Sequence, residues 1–501
     1  MAEITERLRR VMALDRAAKA IDFNEKWIDW GKLASRVDDI EVIFAELGLP
    51  QGARIGALLH NRPGHVASIL AVLASDRCLV TLNPVYPDET LGPDIQALDI
   101  PLVIGEPSDL ERVGVQAAID LLDASVIEIA PDLETVKLAR TGRNAAAGSN
   151  GDVAIEMLTS GTTGKPKRVP LSRSAFDASF AAIASHDKSR DPDEEVKLRS
   201  STTLILNPVT HIGGIYGVIG ALMAGRRICL VERFSVENWV RAVTRHRPKV
   251  APAVPAALRM LIEADLPREH FSSLSAIISG TAPLSPDVVD TFLEKYGVPV
   301  LSNYGATEFA GAVAAWSLPD FKAHWRDKKG AAGRLHSSLQ ARIVEPESGK
   351  VLPDGQEGVL ELKGAQLGTG ESWLRTTDRA VIDEDRFLFI RGRADNAIIR
   401  GGFKVHPDDI VRAIESHPAV REAAIVGVPD ERLGEVPAAA IILKDGAEAL
   451  KSDDMRAYLR ERLVPYQVPV HYRIVDDIPR TPSMKPATLP LKKLFAPHSE
   501  K

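Results

Sequence analysis

The alternation of short apolar bursts with segments of helical period most constrains how this chain can fold. The spacing predicts helices over Leu33–Leu47 and Pro63–Ala74, and short buried strands at Arg54–Leu59, Leu102–Glu106 and Thr203–Asn207. Strands that alternate with helices pair into a largely parallel sheet covered by helices. The first half of the chain is therefore predicted to be a layered α/β domain.

The pattern changes after about residue 330. Residues 339–364 show apolar side chains at every second position, broken by Glu-Ser-Gly and Pro-Asp-Gly turns. This spacing is typical of antiparallel hairpins. We expect a small β-barrel-like part here, attached to the layered α/β subdomains in a large N-terminal domain of residues 1–393.

A third pattern begins near Asp395. A helical face follows Pro407, EAAIVGV and AAAIILK are typical of strands, Asp453–Leu463 is typical of a helix, and HYRIVDDI is typical of a strand. Proline suits the first turn of a helix. The sequence predicts a small, mobile α+β C-terminal domain over residues 394–501.

Composition excludes several classes of protein. Of 501 residues 45% are apolar and 26% charged, and 62 basic against 68 acidic side chains give a net charge of −6, so a nucleic-acid partner is not expected. Cys78 and Cys229 have neither CxxC nor zinc-site spacing, so neither a disulfide scaffold nor a structural metal is expected. Apolar stretches end well short of the roughly 20 residues that span a bilayer, and the start lacks the apolar core of a secretory signal. We expect a soluble cytoplasmic protein without integral membrane association.

The strongest local signal is TSGTTGKPK at Thr159–Lys167, directly after the strand-like DVAIEML. Its hydroxyl residues and glycines can turn several donors onto one anion, and lysines add positive charge. A flexible Ser/Gly linker is the alternative, but the segment is short and lies between two apolar segments. A P-loop is excluded because Thr159 stands where the first glycine is required and Pro166 replaces the Ser/Thr.

Further motifs follow in a fixed order along nearly the whole chain. They are HIGG (His211–Gly214), SGTAPL (Ser279–Leu284), NYGATE (Asn303–Glu308), TTD (Thr376–Asp378), GRADNAIIRGG (Gly392–Gly402) and PRTPSMK (Pro479–Lys485). With TSGTTGKPK, this set resembles the adenylate-forming superfamily of acyl-CoA synthetases, luciferases and peptide-synthetase adenylation domains, and most of all the acyl-CoA synthetases.

The resemblance implies residues for the first half-reaction, in which a carboxylate is joined to AMP. That chemistry needs counter-charge at the α-phosphate and a metal on the triphosphate. The implied phosphate-binding residues are Thr159, Ser160, Gly161, Thr162, Thr163, Gly164 and Lys167. The implied adenine and ribose contacts are Gly280, Thr281, Ala282, Pro283, Asn303, Tyr304, Asp378 and Arg393. Thr307 would contact the α-phosphate, Glu308 would bind Mg²⁺, and the acyl pocket would comprise His211, Ile212, Tyr216, Gly305 and Ala306.

The small domain is implied to serve both half-reactions. Lys485 would reach the carboxylate and α-phosphate during adenylation, as a compact charge on a flexible stem. Asp395 would be the hinge. Gly401, Gly402, Phe403 and Lys404 would line the tunnel for the pantetheine arm of coenzyme A. On local evidence alone, Lys485 would be one more exposed lysine.

Four positions depart from the family pattern. Arg168 and Thr377 replace glycines, Gln467 replaces a lysine, and Met484 replaces the glycine before the implied catalytic lysine. Thr377 would strain the backbone if its position needed positive φ, and Met484 would stiffen its loop. None removes a charged residue of the first half-reaction.

The implied activity is an ATP-dependent acyl-CoA synthetase with ATP, Mg²⁺ and coenzyme A. Because VTHIGGIYG lacks the aspartate of amino-acid-activating relatives, the acid is expected to carry no α-amine; aromatic, medium-chain and polycyclic acids all remain open. The alternatives are an acyl-AMP ligase that loads a carrier protein and a non-catalytic nucleotide-binding relative. A luciferase-type oxygenase is compatible with the fold alone. A homodimer is also left open, and the sequence does not indicate the pathway.

Overall fold

The computed structural model describes residues 3–142, 151–159, 167–186, 196–447, 450–481 and 484–496. Two compact units divide the chain. The first unit comprises residues 1–340 and 363–372, and the second comprises residues 341–362 and 373–501. The predicted boundary between the N-terminal and C-terminal domains, after residue 393, falls within the second unit. It stays a prediction.

The first part of the first unit carries two sheets. Its helices are α1 (Glu3–Met12), α2 (Trp30–Glu46), α3 (Pro63–Ala74), α4 (Asp88–Gln96), α5 (Pro107–Leu110), α6 (Val113–Leu122), α7 (Arg173–His186), α8 (Ile212–Met223) and α9 (Val236–His246). Its strands are β1 (Lys19–Phe23), β2 (Lys26–Asp29), β3 (Arg54–Leu58), β4 (Cys78–Leu82), β5 (Leu102–Gly105), β6 (Ser125–Ile129), β7 (Val136–Arg140), β8 (Val153–Thr159), β9 (Lys167–Ser172), β10 (Thr202–Ile205) and β11 (Arg227–Leu230). One sheet has the order β7-β6-β5-β3-β4-β8-β9, and the other has the order β10-β11-β1-β2.

Both sheets fit the predicted parallel layering. The interior neighbours β3, β4, β5, β6 and β8 run parallel, and antiparallel partners β7 and β9 occupy the edges. Helix α3 is buried along its whole length, and the core around it takes side chains from both sheets. Most residues of α3 therefore face apolar neighbours, and its buried His65 is paired with the buried Glu106 at 2.6 Å.

The rest of the first unit places the SGTAPL and NYGATE motifs at two parallel strands. It contains β12 (Val250–Pro252), α10 (Pro255–Glu263), β13 (Ala276–Ser279), α11 (Pro286–Tyr296), β14 (Val300–Ala306), β15 (Gly311–Ala315), α12 (Leu318–His324) and β16 (Gly333–Leu335). Strands β12, β13 and β14 are parallel, and β15 and β16 follow antiparallel. Short 3₁₀ turns occur at Arg268–Phe271, Thr307–Phe309 and Ala365–Leu367.

The second unit begins with hairpins and ends with a small α+β sheet. Its elements are β17 (Gln340–Val344), β18 (Gly358–Lys363), β19 (Leu374–Ile382), β20 (Phe387–Arg393), β21 (Ile398–Arg400), β22 (Phe403–Val405), α13 (Pro407–Glu415), β23 (Val420–Asp430), β24 (Gly434–Leu443), α14 (Ser452–Arg460), β25 (His471–Ile474) and α15 (Thr488–Lys493). The ends of β17 and β18 extend into the first unit's residues. Strands β18, β19 and β20 are successive antiparallel neighbours, and β25 joins the order β22-β21-β24-β23 by pairing with β24.

The structure corrects details of the prediction. The hairpins belong to open sheets, and no sheet of the described residues closes into a barrel. Helix α2 begins before Leu33 because the Asp29 side chain accepts a hydrogen bond from the Lys32 N–H and caps it. The predicted strand at HYRIVDDI is limited to His471–Ile474, the residues that pair with β24.

Among the described residues, none of the helices combines the length and apolar character needed to cross a membrane.

Candidate active site

The ends of β13 and β14 bring SGTAPL and NYGATE together. Ser279 is the register partner of Ser302, so the residues that follow, Gly280 and Asn303, are neighbours. A Cβ built on Gly280 would lie 2.2 Å from the Asn303 Oδ1. A residue larger than glycine at position 280 would therefore displace the Asn303 side chain. The carboxyl ends of parallel strands are where open α/β sheets bind ligands.

The segment after Gly280 is held in an unusual backbone conformation. Thr281 has a φ of 71°, in the left-handed region that non-glycine residues rarely adopt. Its side chain is exposed, whereas Ala282 is half-buried. Strain of this kind persists where the surrounding structure over-determines a residue, and it clusters at binding sites.

Thr307 and Glu308 lie in the 3₁₀ turn directly after β14. Thr307 is half-buried and Glu308 is exposed. The buried Gln366 side chain holds the end of this turn by donating hydrogen bonds to the carbonyls of Phe309 (3.0 Å) and Ala312 (3.1 Å). An exposed carboxylate on a fixed turn fits a Mg²⁺ site, since this ion binds through one or two carboxylates plus substrate phosphates.

Strand β9 passes beside this turn. It begins at Lys167, whose register partner across the hairpin is Thr159 at the end of β8. The predicted phosphate-binding residues Ser160, Gly161, Thr162, Thr163 and Gly164 lie outside the described residues. Strand β9, which follows these residues in the chain, thus contacts the turn that carries Thr307 and Glu308. Arg168, one of the four departures, anchors β9 by donating to Asp94 (2.6 Å) and the Thr81 carbonyl (3.2 Å).

The predicted acyl pocket residues lie on α8 and on the strand pair β14–β15. His211 is the N-cap residue of α8, and both His211 and Ile212 are half-buried. Gly305 and Ala306 pair with β15 residues Ala312 and Gly311. A Cβ on Gly305 would lie 2.3 Å from the Gly311 carbonyl oxygen, so Gly305 is required for strand packing.

Tyr216 reaches β15 from α8. Its hydroxyl donates a hydrogen bond to the Ser179 hydroxyl, and its ring stacks on Phe180 with centroids 4.2 Å apart. A Cβ on Gly311 would lie 3.2 Å from this ring. Burial raises the pKa of the Tyr216 phenol, so it remains a neutral hydrogen-bonding group. Sequence reasoning missed Ser179 and Phe180, because their helix carries no motif and only its apolar spacing is visible.

Asp378 and Arg393 are opposite each other in the second unit. They are register partners on β19 and β20, and both are half-buried. The Asp378 N–H donates to the Thr376 Oγ1 at 3.1 Å. Thr377 is not among the described residues with positive φ, so the strain expected from replacing a glycine here is absent. Instead its hydroxyl accepts a hydrogen bond from Arg393.

Arg393 also binds the predicted hinge residue. Its Nε and Nη2 donate to the two carboxylate oxygens of Asp395 at 2.9 and 3.0 Å. This planar two-bond geometry is the stronger form of an arginine–carboxylate contact. Asp408 lies against Gly392, the residue before Arg393, and burial raises the pKa of its carboxyl group. The predicted hinge residue Asp395 is therefore held to Arg393 by two hydrogen bonds in this structure.

The predicted coenzyme A residues form a tight hairpin. Gly401 (φ 56°) and Gly402 (φ 90°) make the two-residue turn between β21 and β22, and two positive φ values in succession explain the glycine pair. Phe403 is exposed and stacks on Tyr466 with centroids 4.6 Å apart. Lys404 is exposed on β22.

Lys485 lies on an exposed turn near the end of the chain. Its N–H donates to the Thr481 Oγ1 (3.2 Å) and its carbonyl accepts from the Thr481 N–H (2.7 Å). Arg480, which precedes the turn, is held by Glu422 at 2.7 Å. Met484 has a φ of 63°, the conformation that the family glycine would adopt without strain.

Family models match most of the chain. The family description "AMP-binding enzyme" matches residues 8–370, and "AMP-binding enzyme C-terminal domain" matches residues 412–485. The chain belongs to this family of AMP-binding, adenylate-forming enzymes. The predictions of the superfamily, of a mixed α/β fold with a small C-terminal domain, and of an enzyme of the acid–thiol ligase class are confirmed.

Named relatives are CoA ligases. The chain is 28% identical to 4-coumarate–CoA ligase 5 of Oryza sativa subsp. japonica, over 88% of this chain and 85% of that protein. It is 26% identical to peroxisomal OPC-8:0-CoA ligase 1 of Arabidopsis thaliana, over 96% of this chain and 89% of that protein.

Among solved structures, ATP-bound MatB from Rhodopseudomonas palustris has a TM-score of 0.82 at 24% identity, with 99% of both chains covered. Amide bond synthetase McbA from Marinactinospora thermotolerans has a TM-score of 0.80 at 27% identity, covering 98% of this chain and 100% of that chain.

Proposed function

We propose that this enzyme is an ATP-dependent acyl-CoA synthetase whose substrate is an organic acid without an α-amine. The observation that carries the proposal is the register that places Gly280 beside Asn303, next to the turn bearing Thr307 and Glu308. The CoA-ligase names of relatives that cover 85% or more of each chain support coenzyme A as the acceptor.

In the proposed first step, the acid carboxylate attacks the α-phosphorus of ATP and pyrophosphate leaves. Lys167 and the preceding loop would hold the β- and γ-phosphates, and Thr307 would donate to the α-phosphate. Glu308 would hold Mg²⁺, which supplies charge neutralisation on the triphosphate. Gly280–Pro283, Asn303 and Tyr304 would bind the adenine, while Asp378 would accept hydrogen bonds from the ribose hydroxyls, with Arg393 as a further donor. Lys485 would neutralise charge where the two anions meet.

In the proposed second step, the thiol sulfur of coenzyme A attacks the acyl carbonyl carbon and AMP leaves. Rotation at Asp395 would withdraw Lys485 and bring the Gly401–Lys404 hairpin to the thiol. That hairpin is suited to lining a pantetheine path because its glycines carry no side chain and Phe403 presents an exposed ring.

For the substrate class we propose an acid with an apolar body, aromatic or alkyl. Half-buried Tyr216, stacked on Phe180, offers an apolar wall beside His211 and Ile212. The sequence between Val209 and Gly217 carries no carboxylate that would pair with a substrate amine. Relatives named for 4-coumarate and OPC-8:0 have acids of this general kind.

The decisive experiment is a pyrophosphate-release screen over aromatic, alkyl and amino acids, each with coenzyme A, a phosphopantetheinylated carrier protein or a simple amine as acceptor. Acid-dependent release with thioester formation on free coenzyme A supports the proposal. Product on the carrier alone would identify an acyl-AMP ligase, and product on the amine alone would identify an amide synthetase. No pyrophosphate release with any acid would leave a non-catalytic nucleotide-binding relative.

A further inference from the structure

Outside the motifs of the proposed active site, three different metal-ligand side chains meet in the first unit. Asp22 on β1 and Cys229 on β11 are register partners in a parallel strand pair, so their side chains project from the same face of the sheet. His246 is the last residue of α9 and shares a helical face with the buried residues Trp239, Ala242 and Val243. One ligand atom from each of Asp22, Cys229 and His246 lies within 4.8 Å of the other two.

The cluster is shielded from water. Asp22 is 1% exposed, Cys229 8%, and the His246 side chain 5%. The Trp27 ring meets the His246 ring edge-on, with centroids 5.6 Å apart, and Trp27 is the register partner of Asp22 on β2. Surface carboxylates often gather without an ion, but buried polar groups in such a dry place need partners.

One buried oxygen of the cluster lacks a partner. Asp22 Oδ2 accepts from Arg245 Nε at 2.9 Å, and His246 Nε2 lies 2.9 Å from the same oxygen. Oδ1 of Asp22 has no hydrogen-bond partner among the described residues. Arg245 thus orients the carboxylate in the manner of the outer-shell donors that support metal-binding carboxylates, while the second oxygen is left to bind something else.

We propose that Asp22, Cys229 and His246 form a structural zinc site that fastens the end of α9 to β1 and β11. Thiolate, imidazole and carboxylate are the three ligand types that Zn²⁺ uses in proteins, and a sulfur ligand disfavours Mg²⁺ and Ca²⁺. With three protein ligands the site differs from the usual structural zinc site, which has four, and one position of the tetrahedron stays open. On binding, the Cys229 S–H bond breaks, its proton goes to solvent and a sulfur–zinc bond forms, with no change of oxidation state.

Sequence spacing does not indicate this site, and nearby positive charge opposes binding of a metal ion there. Asp22 lies more than two hundred residues before Cys229 and His246, so the three ligands form no CxxC or HxxxH pattern. Only the strand register brings Asp22 next to Cys229. Arg245 and, at longer range, Arg241 and Arg227 place positive charge near the cluster. The competing arrangement is a metal-free ion pair between Asp22 and Arg245.

The test is a cobalt titration of the full-length, tag-free, chelator-treated protein. Tetrahedral Co²⁺ bound to a thiolate gives a sulfur-to-metal charge-transfer band, and we expect it to saturate at one equivalent and to disappear when Zn²⁺ is added. Cys229→Ser should abolish the band. Cys78→Ser is the matched control, because Cys78 is also buried but lies on β4 in the seven-stranded sheet, and this variant should keep the band.

Two further measurements do not depend on the Cys229 variant folding. His246→Gln should weaken Zn²⁺ binding by about tenfold or more, the scale seen when supporting groups of a metal site are changed. Zn²⁺ should raise the melting temperature of the unmodified protein and of Cys78→Ser. No cobalt band in the unmodified protein, a band that survives in folded Cys229→Ser, or equal loss in both cysteine variants would overturn the proposal in favour of the metal-free ion pair.

Discussion

The strand ends of β13 and β14 and the Lys485 turn position their proposed active-site residues in different ways. Gly280 and Asn303 are neighbours because of the register of parallel strands, and a carbon added at Gly280 would displace the Asn303 side chain. Lys485 lies on an exposed turn held by a few hydrogen bonds to Thr481. Strand register thus fixes the first pair of residues, whereas local hydrogen bonds and the isolated bridge between Arg480 and Pro486 hold the second region.

The strongest test of this comparison is Lys485→Ala. Removing the charge should lower pyrophosphate release by about a hundredfold or more, comparable with loss of one preorganised electrostatic donor. Because an exposed turn contributes little to packing, the free energy of unfolding should change little. Thioester formation from supplied acyl-AMP should be retained, since that step no longer joins two anions.

Asp395→Pro should affect the two steps in the opposite way from Lys485→Ala. It removes the carboxylate that binds Arg393 and restricts the backbone at the proposed hinge. We expect adenylate formation to persist while thioester formation stalls. If both variants lose both activities to the same extent, the alternating use of the second unit does not hold for this protein.

Glu308→Gln tests the turn that follows β14. A neutral amide binds a hard cation poorly, so we expect pyrophosphate release to fall by about ten- to a hundredfold. The loss should be partly recovered at raised Mg²⁺ concentration, which a purely structural role would not produce. The matched control is the exposed Glu294→Gln on α11, which should leave the rate and its Mg²⁺ dependence unchanged.

Gly280→Ala tests the rigid region directly. The new methyl group would meet Asn303 Oδ1, and overpacking of this kind costs about 1–3 kcal/mol. We expect a raised Michaelis constant for ATP together with lower stability in thermal unfolding. The double variant Gly280→Ala/Asn303→Ala should recover stability by making room. It should not recover ATP affinity if Asn303 binds adenine, and recovery of both would remove Asn303 from the site.

The sequence predicts buried helices and strands better than it predicts side-chain contacts around the proposed site. Helix α3 matches its predicted bounds, and β3, β5 and β10 fall where apolar bursts occur, because burial on both faces leaves an unmistakable pattern. Motif order also indicated the family. Sequence alone could not show that Arg393 binds Thr377 and Asp395, or that Tyr216 binds Ser179, since such contacts depend on register and on rotamers that no spacing encodes. Nor could it show that the Thr377 backbone is free of positive φ while that of Met484 is not.

Met484 gives the smallest and most specific prediction about the turn that carries Lys485. A left-handed conformation costs a side-chain-bearing residue about 1–2 kcal/mol, and Met484 adopts it at φ 63°. Met484→Gly should therefore be more stable than Met484→Ala by about 1 kcal/mol, because alanine keeps the strained Cβ and glycine does not. Denaturant unfolding of both variants, followed by a probe in the second unit, measures the difference. Arg460→Gly and Arg460→Ala at the end of α14, where φ is not positive, should show the reverse order, because glycine is the weaker helix former. If glycine is no better than alanine at position 484, the turn is not strained, and Met484 would not be what restricts Lys485.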